Sequence, residues 1–134
     1  ENMYFQNKNF VIMSEFEDLQ KFVRAQQRYD EIVRDRLIEF KQNMAMYFTL
    51  EENAAMDFNK RSGGWVWMDE FETISYDHEE ILDEFNKILN FKTHPHISNV
   101  QESLLLFSLK LKNHEALENK IFLDQVYSEI GGEG

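Results

Sequence analysis

The sequence predicts an all-α fold of four to five helices, including one long N-terminal helix, and three observations carry that prediction. Breakers are few and clustered: Pro95 is the only proline, and the five glycines sit at 63, 64, 131, 132 and 134. Between Ser14 and Ser62 neither occurs, as an uninterrupted helix or helical hairpin requires. Apolar residues recur at spacings of 3 and 4, the period of a helix face. Finally, short polar sequences with helix-capping chemistry stand before several of the apolar stripes.

Taken in chain order, Ser14-Glu15-Phe16-Glu17 is a capping box, with a hydroxyl at the N-cap and a Glu three residues on. Apolar positions follow at Phe16, Leu19, Phe22, Val23, Ile32, Val33, Leu37, Phe40, Met44 and Tyr47, interrupted by Gln26-Gln27. One straight helix over 15–48 would run about 50 Å at ~1.5 Å per residue. A compact chain of this length has a radius of gyration of only ~14 Å. Either the segment breaks near Gln27 to Glu31 or the molecule is elongated, and a long bent helix is the expectation.

Thr49-Leu50-Glu51-Glu52 is a second capping box, opening a helix through Arg61 that Ser62-Gly63-Gly64 ends. Trp65-Val66-Trp67-Met68 reads as a short extended segment. Asp77-His78-Glu79-Glu80 caps the next helix, whose stripe is Ile81, Leu82, Phe85, Ile88 and Leu89 and whose end is Thr93-His94-Pro95. Ser98-Asn99-Val100-Gln101 caps another, carrying Leu104, Leu105, Phe107, Leu109 and Leu111. A last helix is expected from about Asn113 to Glu129, stopping at Gly131-Gly132. No repeat or linker divides the chain, so residues 14–130 read as a single helical domain. Glu1 to Gln6 resembles a viral-protease recognition site, and residues 1–13 are set aside as an N-terminal extension; 131–134 form a flexible tail.

Composition narrows the function classes. The 134 residues are 43% hydrophobic and 14% aromatic, too apolar for a disordered chain. Acids outnumber bases 25 to 14, for a net charge of −11, so direct nucleic-acid binding, which needs surplus Lys and Arg, is not expected. The absence of cysteine excludes disulfides, thiolate catalysis and Cys-ligated metals. The longest apolar runs, Leu104 to Phe107 and Met44 to Phe48, are far too short to span a membrane. No signal peptide is visible, and the working expectation is an intracellular protein.

Residues 69–84 hold eight acids (Asp69, Glu70, Glu72, Asp77, Glu79, Glu80, Asp83 and Glu84) and no base, with Trp65, Trp67, Phe71 and Tyr76 beside them. Carboxylates steer a basic partner and aromatics anchor it. The competing reading is a solvated helix face next to two core tryptophans. Lys21, Arg24 and Arg28 line one face upstream, where they would dock onto the acidic segment within the molecule or in a homodimer. His94-Pro95-His96 brings two imidazoles close, and Glu102 or His114 would have to join them for a metal site; surface histidines are the preferred reading. No nucleophile elbow or phosphate-binding glycine loop is present.

Glu80-Ile81-Leu82-Asp83 is an E-x-x-D on an acidic helix, and it resembles the second metal-binding helix of the all-α nucleotide pyrophosphohydrolases (the MazG and dimeric dUTPase group). The resemblance spans about residues 15–92 and implies Mg²⁺ held by carboxylates of two helices. The upstream helix departs from the pattern, because Glu51 and Glu52 are followed at +3 by Ala54 and Ala55. Lys87 also stands where the dUTPase-like register calls for an Asp.

The leading expectation is therefore a non-enzymatic acidic helical interaction protein: an inhibitor, a nucleic-acid mimic or an assembly subunit. Its partner surface is Trp65, Trp67, Asp69, Glu70, Glu72, Asp77, Glu79, Glu80, Asp83 and Glu84, and its partner a basic protein or a larger assembly. No cofactor, metal or catalytic residue is assigned. The alternative is Mg²⁺-dependent nucleotide pyrophosphate hydrolysis by an incomplete carboxylate set.

Overall fold

A computed structural model describes the backbone of residues 3–61, 68–90 and 95–131, and side chains within 11–61, 68–90 and 95–124. Four helices make up the described residues: α1 (Met3–Arg24), α2 (Glu31–Arg61), α3 (Met68–Leu89) and α4 (Ile97–Gly131). Each packs on its sequence neighbours, α4 closes back onto α1, and the backbones of the diagonal pairs stay apart. With connections this short, consecutive helices run antiparallel, giving an up-down-up-down bundle.

The long N-terminal helix is two helices. Backbone bonds from Ala25 N to Lys21 O and from Gln26 N to Val23 O close the last turn of α1. Lys21 and Arg24 lie in that turn, where positive charge complements the helix dipole. Six residues later Asp30 caps α2, its Oδ1 accepting from Val33 N at 3.0 Å. The break falls where the polar interruption Gln26-Gln27 signalled it.

Three expected capping boxes lie inside helices instead. Ser14 is within α1, Thr49 within α2, where its Oγ1 bonds back to Ala45 O at 3.1 Å, and Asp77 within α3. Capping chemistry is a local permission, and continuous core burial overrides it at all three places. Likewise Met68 opens α3 rather than ending an extended segment, and the helices expected at 98–111 and 113–129 are one helix, α4. Trp65 and Trp67 lie outside the described residues.

Each helix contributes an apolar stripe with alternating spacings of 4 and 3: Ile12, Phe16, Leu19 and Val23 on α1; Val33, Leu37, Phe40 and Met44 on α2; Ile81, Phe85 and Ile88 on α3; Val100, Leu104, Phe107 and Leu111 on α4. One phenylalanine from each helix meets at the middle. Phe16–Phe40, Phe40–Phe85, Phe85–Phe107 and Phe107–Phe16 have ring centroids 5.1–5.5 Å apart and are tilted or edge-on. These are the geometries that the ring quadrupole favours. Gln101 ties the base of α4 to α1 by donating to Val23 O at 3.1 Å, and Tyr47 donates to Glu15 between α1 and α2. Leu105 and Leu109, expected on the core stripe of α4, are instead 61% and 58% exposed, because they sit between the inward positions.

Candidate metal centre

Beyond the phenylalanine layer the inward stripes continue, but their chemistry changes. The next inward positions are Phe48 and Glu51 on α2, His78 on α3 and His114 and Glu118 on α4. Past them the stripes become apolar again at Ile74 and Ile121, packed with Ala55 and Leu117. Helical period alone puts the four polar residues in one layer: Ile74, His78, Ile81 and Phe85 share a face of α3, as do Leu111, His114, Glu118 and Ile121 of α4. Two imidazoles and two carboxylates are thus enclosed between two apolar layers.

The enclosure is nearly complete. Glu51, His78, His114 and Glu118 are each at most 2% exposed. One ligand-capable atom from each lies within 4.8 Å of the other three. Nε2 of His78 is 3.6 Å from Oε2 of Glu51, and Nε2 of His114 is in close contact with Oε1 of Glu118. Beyond these contacts within the cluster, the oxygens of both carboxylates and both Nε2 atoms have no hydrogen-bond partner. Two carboxylates and two imidazole nitrogens facing only one another in a core are costly, since their lost water is incompletely replaced.

The other face of each imidazole is fully engaged. Nδ1 of His78 donates to Oε2 of Glu52 at 2.7 Å, and Nδ1 of His114 donates to Oδ2 of Asp77 at 2.6 Å. A carboxylate accepting at Nδ1 fixes the tautomer and aims the Nε2 lone pair at the centre, the arrangement that orients metal-binding histidines. Phe48 stacks on His78 with centroids 3.9 Å apart and planes 9° from parallel, holding that ring in place; it also packs tilted against His114.

Electrostatics agree with the geometry. Burial pushes the Glu51 carboxyl up to about 8, with Glu118 adding to the rise and His78 opposing it. Burial works against charge on His114, but Asp77 and Glu118 outweigh it and lift the imidazole to about 9. Asp77 is held below the usual carboxylate range, mainly by its bond to His114. Among protein groups alone, then, the layer recruits protons to offset crowded negative charge, and a cation answers the same demand.

The donor set fits a metal. Twice a typical metal–ligand distance of about 2.1 Å is about 4.2 Å, so donors within 4.8 Å of one another need only small side-chain adjustments to share one ion. Two imidazole nitrogens with two carboxylates favour a first-row divalent transition ion over Mg²⁺ or Ca²⁺, which prefer oxygen alone. Sites of this kind are built in bundle cores from facing helices.

The acids singled out in the sequence lie elsewhere, with one exception. Asp69, Glu72, Glu79, Glu80, Asp83 and Glu84 are exposed, and Glu70 is half-buried. Glu80 accepts from Lys110 at 2.9 Å and Glu84 from Lys87 at 3.0 Å. Asp77 turns inward to His114 and so leaves the expected partner surface. Lys21 and Arg24 sit on α1, whose backbone stays apart from α3, so they do not dock onto the acidic segment within the molecule. Glu80 and Asp83, the E-x-x-D pair, belong to no cluster of potential ligands among the described residues. His94 lies outside the described residues, His96 is exposed, and His114 is deep in the core rather than beside them.

The sequence weighs His114 only beside His94 and His96 and Glu51 only in an incomplete Mg²⁺ set, and it passes over His78 and Glu118, because new helices were expected at Thr49, Asp77 and Asn113. Extending the stripe Leu104, Phe107, Leu111 by steps of 3 and 4 lands on His114 and Glu118. Polar residues at successive inward positions were the available signal. In comparisons with known protein families, curated proteins and solved structures, the chain matches none.

Proposed function

We propose that this protein is a metal-binding four-helix bundle that holds one first-row transition ion with Glu51, His78, His114 and Glu118. The observation that carries this reading is the enclosure of two carboxylates and two imidazoles in the core, one ligand-capable atom of each within 4.8 Å of the other three and none with a hydrogen-bond partner outside the cluster. Glu52 and Asp77 orient the imidazoles and do not reach the ion. The apolar layers on either side exclude bulk water and strengthen every charge interaction inside. Protein stripped of metal by chelation should take up one equivalent of Fe²⁺, Mn²⁺, Co²⁺ or Zn²⁺ in a calorimetric titration. Mg²⁺ and Ca²⁺ should not compete at similar concentrations. At a hundredfold excess over Kd, binding to the folded state alone adds about 2.7 kcal/mol of stability. Equal uptake of Mg²⁺, or no uptake of any of these ions, would contradict the proposal.

A second reading rests on a different observation, the exposed acidic ridge of α3 formed by Glu79, Glu80, Asp83 and Glu84 with Tyr76 68% exposed nearby. It supports a basic protein partner that the bundle would block or join, and it is compatible with a metal inside. Reversing these four acids to Lys should abolish salt-sensitive capture of such a partner while leaving metal uptake intact; unchanged capture would remove this reading.

A further inference from the structure

The metal centre just proposed has more negative charge around it than a divalent ion balances. Glu51 and Glu118 face the centre directly, and Glu52 and Asp77 stand one imidazole further out, bonded to Nδ1 of each histidine. Metal binding requires the ligating carboxylates to be ionised. Four carboxylates against a divalent ion leave a net charge of about −2, and against a trivalent ion about −1; Glu51 and Glu118 are enclosed where charge is poorly screened, while Glu52 and Asp77 are 30% and 25% exposed at the edge of the layer. Lys110, at the rim, acts electrostatically on Asp77 but is itself paired with Glu80. Carboxylates at Nδ1 also make each imidazole a stronger donor. The donors are carboxylate oxygens and imidazole nitrogens, with no thiolate or thioether to favour a lower oxidation state.

Resting on that metal-binding reading, we propose that the centre is a one-electron iron site, and that Glu52 and Asp77 bias it toward the ferric state. In the oxidising half-reaction Fe²⁺ loses one electron and remains bound as Fe³⁺. The acceptor is dioxygen, which takes that electron and leaves as superoxide, so no bond within the protein forms or breaks. Glu52 and Asp77 are positioning residues here: they touch the histidines and act on iron through them.

The test is a spectroelectrochemical titration of protein loaded with Fe²⁺ without oxygen, with iron counted in every sample. Glu52→Gln and Asp77→Asn keep the shape and an acceptor oxygen but remove one charge each. Each should weaken ferric relative to ferrous binding about tenfold, an upward shift of ~59 mV for a one-electron couple. Lys110→Gln, at the rim, should shift the potential the opposite way, a sign that misfolding would not mimic. The wild-type protein should turn ferric in air and keep its iron. Iron bound at one per chain but stable as Fe²⁺ in air, or potentials unmoved in all three variants, would overturn the redox assignment and leave the metal site standing. Failure to bind iron in the wild type would instead overturn the metal reading itself.

Discussion

Replacing Glu51, His78, His114 and Glu118 with leucine should raise the stability of the chelator-treated protein by about 1–4 kcal/mol, the range seen when buried ionic groups give way to apolar ones of similar volume. At roughly 4 °C per kcal/mol for a domain of this size, the melting temperature should rise by about 4–16 °C. The reasoning is one of unmet hydrogen bonds. The four residues occupy inward positions between two apolar clusters, and six of their polar atoms have no hydrogen-bond partner outside the cluster. Leucine at those positions would join the Phe48 and Ile81 layer to the Ile74 and Ile121 layer in one continuous core. The same variant should take up no metal and show no metal-dependent rise in melting temperature. A quadruple variant less stable than the stripped wild type would mean that the four groups satisfy one another and form a structural network.

Removing a single ligand should act in the opposite sense and on a different quantity. Glu118→Gln preserves side-chain shape and leaves the bundle folded, but it withdraws an anionic donor that is 1% exposed and whose protein contacts all lie within the cluster. Structural metal sites bind with roughly 12 kcal/mol, so one of four ligands accounts for about 3 kcal/mol. That is more than a hundredfold in affinity. Competition against a chromophoric chelator measures it directly. Glu115→Gln, on the same helix but outside the cluster, is the control and should leave affinity unchanged. Equal losses in both variants would indicate diffuse attraction of cations by a chain of net charge −11.

Much of the bundle was legible in the sequence. The absence of Gly and Pro between Ser14 and Ser62 and the 3-and-4 spacing of Phe16, Leu19 and Val23 required helices. The length argument raised a break near Gln27 to Glu31 as one of two outcomes, but the expected long bent helix is in fact the two helices α1 and α2. Helix boundaries were less legible, because Thr49-Leu50-Glu51-Glu52 and Asp77-His78-Glu79-Glu80 have the composition of caps. That composition says only that a helix is able to start there. Whether one does depends on packing against three other helices, which no local pattern encodes.

The candidate centre was hidden by the same error. Treated as a cap, Glu51 is a solvent-facing carboxylate; placed in a helix running from Glu31 to Arg61, it falls seven residues past Met44 on the inward face. His114 changes meaning in the same way once α4 is continuous. The convergence of α2, α3 and α4 on one point is a tertiary fact, and only the assembled bundle reveals that Asp77, read as part of an acidic surface, reaches His114 instead. The exposed acids of α3 and the buried acids of the core are thus two populations with different chemistry, within a few residues of each other in sequence.

The most direct measurement is anomalous X-ray scattering from crystals of metal-loaded protein, recorded at the absorption edge of the added ion. One strong peak per chain is predicted, enclosed by Nε2 of His78, Nε2 of His114 and the carboxylates of Glu51 and Glu118, at bonding distance from all four residues. A peak at the exposed acids Glu79 to Glu84, or no ordered peak in metal-loaded crystals, would contradict it.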